Sequence, residues 1–416
     1  MYNPYGVIQF MWNLLPFLIA MTFAFNPLFA AQQSIAAFLE MSKERYRQNF
    51  DSKNIHIILG NESGDLDSVV SSILYAYFLS REDRAESDAL YIPLLNIHRE
   101  DLLLRKDVDY LLQLAGIPSH TLLFLDDELP LQKLLQHNRL RLHLVDHNAL
   151  RPKQRHLSSA VVSIIDHHVD ECLSYPLLAS SHKLIEPVGS SATLIAEKII
   201  ANPSITLTLD IAKLLLAPIL IDTYDLQSVE KTTDRDRVIA AILKAVVFQT
   251  LPENFYEQLL NKKNDATELT STMLLSKDFK EYLDGALLYG ISTLPATVCW
   301  EREESSNLAP LLERYTLERG LSLLIILMSN QSQTKLKRTI IVYSPHKSIL
   351  GAFRSYVQKD VQLSQILIPL HFAEEEQMSF YGTEEFIARK KLQPLFHFTD
   401  SSSFEALFEG WDRISD

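Results

Sequence analysis

Three short apolar runs in this chain each stop at acids, or at acids with histidines. Residues 55–60 (IHIILG) lead into Asn61-Glu62-Ser63-Gly64-Asp65-Leu66-Asp67, residues 140–145 (LRLHLV) into Asp146-His147-Asn148, and residues 160–165 (AVVSII) into Asp166-His167-His168. Hard carboxylates and borderline imidazoles at neighbouring strand ends suit a pair of divalent cations. Three such clusters in one register point to a two-metal phosphoesterase. Asp65 and Asp67 can both reach one cation pair from a tight turn, with Asn61 four residues earlier. Helix capping at Ser68 is the competing explanation for that pair. Asp146 alone reads equally well as a turn residue. Asp166-His167-His168 is harder to explain structurally, since one imidazole suits a metal and the other a phosphate. Asp222 closes the apolar stretch 209–222 and supplies a fourth corner. Asp126-Asp127 and Glu128 lack a histidine or a helix start nearby and read as solvated loop acids. Arg389-Lys390-Lys391 is either a solvated face or the cationic counterpart to a polyanion, with arginine binding phosphate bidentately and lysine as a point charge.

The elements that must position these residues follow from periodicity. From Ile55 to about Val247, short aliphatic runs alternate with helical segments, which predicts a doubly wound, mainly parallel sheet. Strands are expected over 91–97, 121–125, 140–145 and 160–165. Helices are expected over 68–79, 107–115 and 192–201, the first presenting its positive N-terminus to the Asp65 cluster. The stretch 209–222 stays open because Pro218 interrupts a simple helix. Residues 248–266 read as a linker or a solvated helical connection. Strand-like runs at 289–292, 322–328, 338–343 and 366–370 predict a second, smaller α/β unit over 267–416. The catalytic unit spans 50–247, and the site is expected in the cleft between the two.

The 416 residues are 47% hydrophobic and 22% charged, an ordinary globular composition with room for two or three cores. A net charge of −13 argues against a nucleic-acid partner. Cys172 and Cys299 form no framework and fit a reducing compartment. Residues 1–40 are an apolar extension with no charge before Glu40. They fit a signal or anchor, a segment outside the functional protein with Met41 as the true start, or a core segment. Cytoplasmic location is expected, with mitochondrial or membrane association through residues 1–31 as the alternative.

GNESGDLDS, VDHN, IIDHH and ILIDT together resemble the four motifs of the DHH phosphoesterase superfamily. Arg389-Lys390-Lys391-Leu392-Gln393-Pro394 resembles the basic signature of its accompanying C-terminal domain. The likeness covers roughly residues 50–416. Asn61, where pyrophosphatases place histidine, resembles the yeast-type exopolyphosphatases and prune proteins, as do the segments 96–112 and 188–199. The resemblance implies Asp65, Asp67, Asp146, His167 and Asp222 as ligands to two divalent cations, Mn²⁺ or Mg²⁺ with Co²⁺ as a further option. It implies His168 as the phosphate contact or proton donor and Arg389 and Lys390 as the substrate-binding pair, with Asn61 counted among the catalytic groups. Ser190 and Ser191, in a glycine-led turn, are expected to line the phosphate path, with Arg99 and Arg105 as weaker substrate-binding candidates. The implied activity is release of orthophosphate from inorganic polyphosphate by a monomer. A prune-like enzyme for short polyphosphates or nucleotide phosphoesters is the alternative, and an inorganic pyrophosphatase comes after it.

Overall fold

The computed structural model describes residues 34–49, 53–82, 89–127, 129–267, 269–294, 305–329, 337–370 and 377–405. Most of the apolar extension, Glu128 and Cys299 therefore lie outside the described residues. In the first unit the elements run α1 (Ile35–Asn49), β1 (Asn54–Leu59), α2 (Leu66–Glu82), β2 (Ala89–Leu95), α3 (Lys106–Leu114), β3 (Leu123–Phe124), α4 (Leu131–Gln136), β4 (Leu140–Val145), β5 (Val161–Asp166), β6 (Lys183–Ile185), α5 (Ser191–Ala201), α6 (Leu209–Asp222), α7 (Asp234–Val246) and α8 (Phe255–Asn264). The second unit runs α9 (Ser271–Lys277), β7 (Phe279–Asp284), β8 (Leu287–Thr293), α10 (Ser305–Arg319), β9 (Leu323–Ser329), β10 (Arg338–Tyr343), α11 (Lys347–Lys359), α12 (Val361–Ile366), β11 (Ile368–Leu370), β12 (Met378–Thr383) and α13 (Arg389–Leu392).

The first sheet has the order β3-β2-β1-β4-β5-β6, and every pairing is parallel. Its strands are aliphatic because both faces are covered. One face packs under α2, α5, α6, α7 and α8, the other under α4 and the 3₁₀ segment 152–160. The expected doubly wound sheet is thus present. The second sheet, β11-β12-β10-β9-β8-β7, is mixed, with only β8 and β9 parallel. Among the described residues no helix is long and apolar enough to cross a membrane.

Several elements decide between alternatives the sequence left open, or differ from its expectation, for identifiable reasons. Residues 209–222 form one helix with Pro218 inside it. Ten consecutive or near-consecutive side chains from Ile211 to Ile221 are buried there, and that packing outweighs the lost proline hydrogen bond. The expected strand 121–125 shrinks to Leu123–Phe124, because 119–121 turn as a 3₁₀ segment. The polar stretch 248–266 contains α8, whose Phe255 and Leu259 join the core of the first unit. The end of the apolar extension is core as well: Ile35, Phe38 and Leu39 are buried against the same unit. Strands β7 and β12 carry too many polar residues to stand out by hydropathy.

A polar chain runs under the first sheet. His56 Nδ1 and His143 Nε2 are 2.9 Å apart, and His143 Nδ1 lies 2.7 Å from Ser163 Oγ. Burial first, then the neighbouring His56 and His182, hold His143 well below its ordinary pKa of 6.5. The unfolded chain binds this proton before the folded one does, so the stability it confers is complete above about pH 6.5 and is lost as pH falls through that value. His143→Gln should flatten the pH dependence of unfolding free energy below pH 6.5 by up to about 1.4 kcal/mol per pH unit. Urea melts at pH 7 and 5 measure this, and an unchanged slope would contradict it.

Candidate active site

Strand β1 is followed by β2 on one side while β4 pairs on its other side, so the winding reverses between β1 and β4. In an open α/β sheet the crevice lies beyond the carboxyl ends of the strands at such a reversal. The loop 60–65 leaves β1 there. A Cβ on Gly60 would sit 2.4 Å from Ser68 Oγ and 2.7 Å from Ser72 Oγ, so only glycine lets the strand end pass this close to α2. Gly64 takes φ +55° to complete the turn. Asp65 then caps α2, its Oδ1 accepting from Ser68 N at 3.1 Å.

Asn61, Asp65, Asp67, Asp146, His167, His168 and Asp222 line one cleft of about 630 Å³, together with Arg105, Arg389 and Lys390. Asp146 occupies the left-handed region at φ +61°, a strained conformation for a non-glycine residue. Two contacts hold it: its N–H donates to Ile165 O at 2.9 Å, and its carbonyl accepts from Asn61 Nδ2 at 3.0 Å. Asn61 Oδ1 meanwhile accepts from Ser63 N at 3.0 Å. Both ends of the Asn61 amide are thus engaged in bracing the loops.

Burial above all raises Asp67, Asp146 and Asp222 above the ordinary carboxylate range, Asp222 to about 7. The neighbouring Asp67 adds to it for Asp146 and Asp222, while for Asp67 itself His167 pulls back and Asp65 pushes up. Asp65 is the exception. Burial would raise it, but Lys263, Arg105 and the Ser68 N–H hold it at about 2. His167 donates from Nδ1 to Val188 O at 3.0 Å, which turns Nε2 toward Asp146 Oδ1 at 3.4 Å and Asp67 Oδ2 at 3.8 Å. Burial opposes its protonation, yet those two acids push it up to about 10. His168 pairs through Nδ1 with Asp166 Oδ1 at 2.8 Å, leaving Nε2 as the other ring nitrogen; burial takes it down to about 4. Ligand atoms of Asp146, His167 and His168 lie within 4.8 Å of one another. Several recessed acids raised together around one imidazole form a site short of positive charge. The donor set of carboxylates and imidazole fits divalent cations.

The opposite wall comes from the second unit. Arg389 donates to Asp278 O and pairs with Asp278 Oδ1, both at 2.7 Å. Lys277, Asp278 and Lys280 also line the cleft, joined by Lys263 from the end of α8 and Lys231 from the α6–α7 connection. The sequence reading missed these cations. Its signal was available in the alternation Lys277-Asp278-Phe279-Lys280, but it is spread over a helix end and a polar strand. Glu62 ties the walls together: it accepts from Glu281 N of β7 at 3.3 Å and lies 3.6 Å from Arg151.

Three candidates sit elsewhere than expected. Ser190 and Ser191 are fully buried behind Asp67, and Ser191 N and Ala192 N donate to its carboxylate at 2.7 and 2.9 Å. They hold an acid in place and face no cleft. Arg99 is held by both oxygens of Asp127, at 2.9 and 2.7 Å, and lies over the Phe124 ring. It does not line the cleft, and Asp127 is therefore no simple solvated acid. The N-terminus of α2, expected to greet phosphate, is already capped by Asp65.

Comparison with known proteins agrees with this architecture. The DHH family, N-terminal domain, matches residues 56–219, and the DHHA2 domain matches residues 257–397. A Schizosaccharomyces pombe protein provisionally named an exopolyphosphatase is 30% identical over 385 residues, 87% of this chain and 97% of its own. Exopolyphosphatase PRUNE1 of Mus musculus is 30% identical over 358 residues, 83% of this chain and 75% of its own. A manganese-dependent inorganic pyrophosphatase of Methanocaldococcus jannaschii is 25% identical over 283 residues, 66% of this chain and 82% of its own. The fold is shared with a crystal structure of a Methanococcus jannaschii protein provisionally assigned as a family II inorganic pyrophosphatase, with a TM-score of 0.52 and 22% identity, covering 82% of this chain and 98% of that one. Strand ends, basic wall and relatives converge: the chain belongs to the DHH phosphoesterase family, in the branch that carries a DHHA2 domain.

Proposed function

We propose that this protein is an exopolyphosphatase, hydrolysing the terminal phosphoanhydride bond of inorganic polyphosphate to release orthophosphate. The observation that carries the reading is the pairing of a recessed acid–imidazole cluster on one sheet with a cationic wall on the other, across a single cleft. The names of the S. pombe and PRUNE1 relatives support the same substrate class.

Asp65, Asp67, Asp146, His167 and Asp222 are the residues we assign to two divalent cations, Mn²⁺ or Mg²⁺. Bound there, such cations would offset phosphate charge and make water a better nucleophile near neutral pH. Asn61 keeps Asp146 in its strained turn. The Asp166 carboxylate orients the His168 ring, whose free nitrogen we assign to the substrate phosphate. Arg389, oriented by Asp278, and Lys390 take phosphate oxygens from the far side, and Arg105 adds a third cation. Hydrolysis puts a water oxygen on the terminal phosphorus and breaks its bond to the bridging oxygen, which leaves on the shortened chain. That oxyanion is weakly basic, so the site needs little acid assistance.

A second reading, a prune-like enzyme for short polyphosphates or nucleotide phosphoesters, uses the same groups. Asn61 argues against a pyrophosphatase, because its amide is spent on Asp146 and Ser63 and adds no imidazole to the cluster.

Purified protein with Mn²⁺ or Mg²⁺ should release phosphate from polyphosphate, and a series from pyrophosphate to long polymer should separate the three substrates. Wild-type inactivity with every divalent cation would sink the proposal. Asp146→Asn should lose more activity than the roughly 10–100-fold typical of an outer-shell change. Arg389→Ala should lower kcat/KM by about 10–100-fold, the value of ~1.5–3 kcal/mol for a hydrogen bond to a charged group. In thermal melts, chelation should lower the unfolding midpoint and Mn²⁺ should restore it, since a ligand that binds only the folded state stabilises it. Asn61→Ala should cost about 1–3 kcal/mol in urea unfolding by leaving the Asp146 carbonyl unpaired.

A further inference from the structure

Asp236 lies outside the cleft on the first turn of α7 and is fully buried. Its carboxylate accepts from Gly189 N at 2.9 Å, Thr193 Oγ1 at 2.6 Å, and Thr233 N and Thr233 Oγ1, each at 2.7 Å. Capping α7 explains the two Thr233 contacts. It does not explain the other two, which reach across to the segment 188–193.

That segment aims two of the cluster's groups. Val188 O receives the Nδ1–H of His167 at 3.0 Å and so sets which ring nitrogen faces the acids. Ser191 N and Ala192 N hold both oxygens of Asp67, a residue 124 positions away from Ser191 in the chain. Gly189 sits between these contacts and leaves no room for a side chain: a Cβ there would meet Thr223 Cγ2 at 2.4 Å, with Asp236 Oδ2 and Lys231 O each at 3.0 Å. One buried carboxylate therefore fixes a short segment from which an imidazole and an acid are both oriented. We infer that Asp236 is a positioning residue for cation binding, acting on His167 and Asp67 through the 188–193 segment. Groups bonded directly to metal ligands typically account for about 10–100-fold in affinity, and Asp236 acts through the backbone groups that make those bonds to His167 and Asp67.

The inference rests on the reading of the acid–imidazole cluster as a cation site, and calorimetric titration of the full-length protein with Mn²⁺ separates the two. Wild type that binds no Mn²⁺ overturns that reading and this inference with it. If wild type binds, Asp236→Ala should bind about 10–100-fold more weakly. Asp360→Ala is the control for lost helix capping: Asp360 caps α12 through Gln362 N and Leu363 N, away from the cleft. It should lower the melting temperature and leave the Mn²⁺ isotherm unchanged. Asp236→Ala that melts early but binds Mn²⁺ like wild type would reduce Asp236 to a cap and overturn the inference. Should that variant fail to fold, Gly189→Ala displaces the same segment with Asp236 intact, and its Mn²⁺ affinity should fall likewise; an unchanged affinity there overturns the inference too.

Discussion

Like charges crowded away from water are the constraint on which this molecule is organised. Asp67, Asp146 and Asp222 repel one another in a recess where solvent screens little, and each is pushed toward its neutral form. The structure meets that cost locally with hydrogen-bond donors. The N-terminus of α5 receives Asp67, and His167 lies between Asp67 and Asp146, which raise its pKa against the effect of burial. Lys263 reaches in beside Asp222 and Asp65, and its own charge is reinforced by them against burial. What these donors leave uncompensated is the capacity to hold cations.

The second unit answers the same constraint from the opposite side. Its residues in the cleft are mostly basic, and their mutual proximity is costly in turn: burial and then the nearby Arg389 depress Lys280. Asp278 offsets part of this by pairing with Arg389. Each wall is therefore poorly satisfied alone and better satisfied facing the other. Glu62 sits where this matters, on the loop between Asn61 and Asp65 yet bonded to the backbone of β7.

The sequence disclosed the acid half of this arrangement because the topology writes it plainly. A buried parallel strand must be a short aliphatic run, and whatever polar residue ends it must face the crevice. Asp65, Asp67, Asp146, Asp166 and His167 were legible on that ground, whereas Asp222 was legible only as the acid closing an apolar run that proves to be a helix. The basic half was not, apart from Arg389-Lys390, because a lysine in a polar strand or at a helix end looks the same whether it faces solvent or a pocket. Lys263 and Lys280 belong to that class. Burial of polar groups was equally hidden: Ser190 and Ser191 look like a phosphate turn, and only the packing of α5 against α2 turns them toward Asp67. Pro218 left 209–222 undecided, since a helix buried on nearly every side tolerates a defect that an exposed one would not.

The grip of α5 on Asp67 has a kinetic side. It joins residues 124 positions apart, and β1 must find both β2 and β4 before the crevice exists. Contacts this distant in sequence require large loops to close first, which slows folding of parallel sheets. The acids at these strand ends are therefore brought together only as the parallel sheet itself closes. Forming the fold thus includes forcing Asp67, Asp146 and Asp222 into one recess, so part of the stability of the sheet is set against their repulsion.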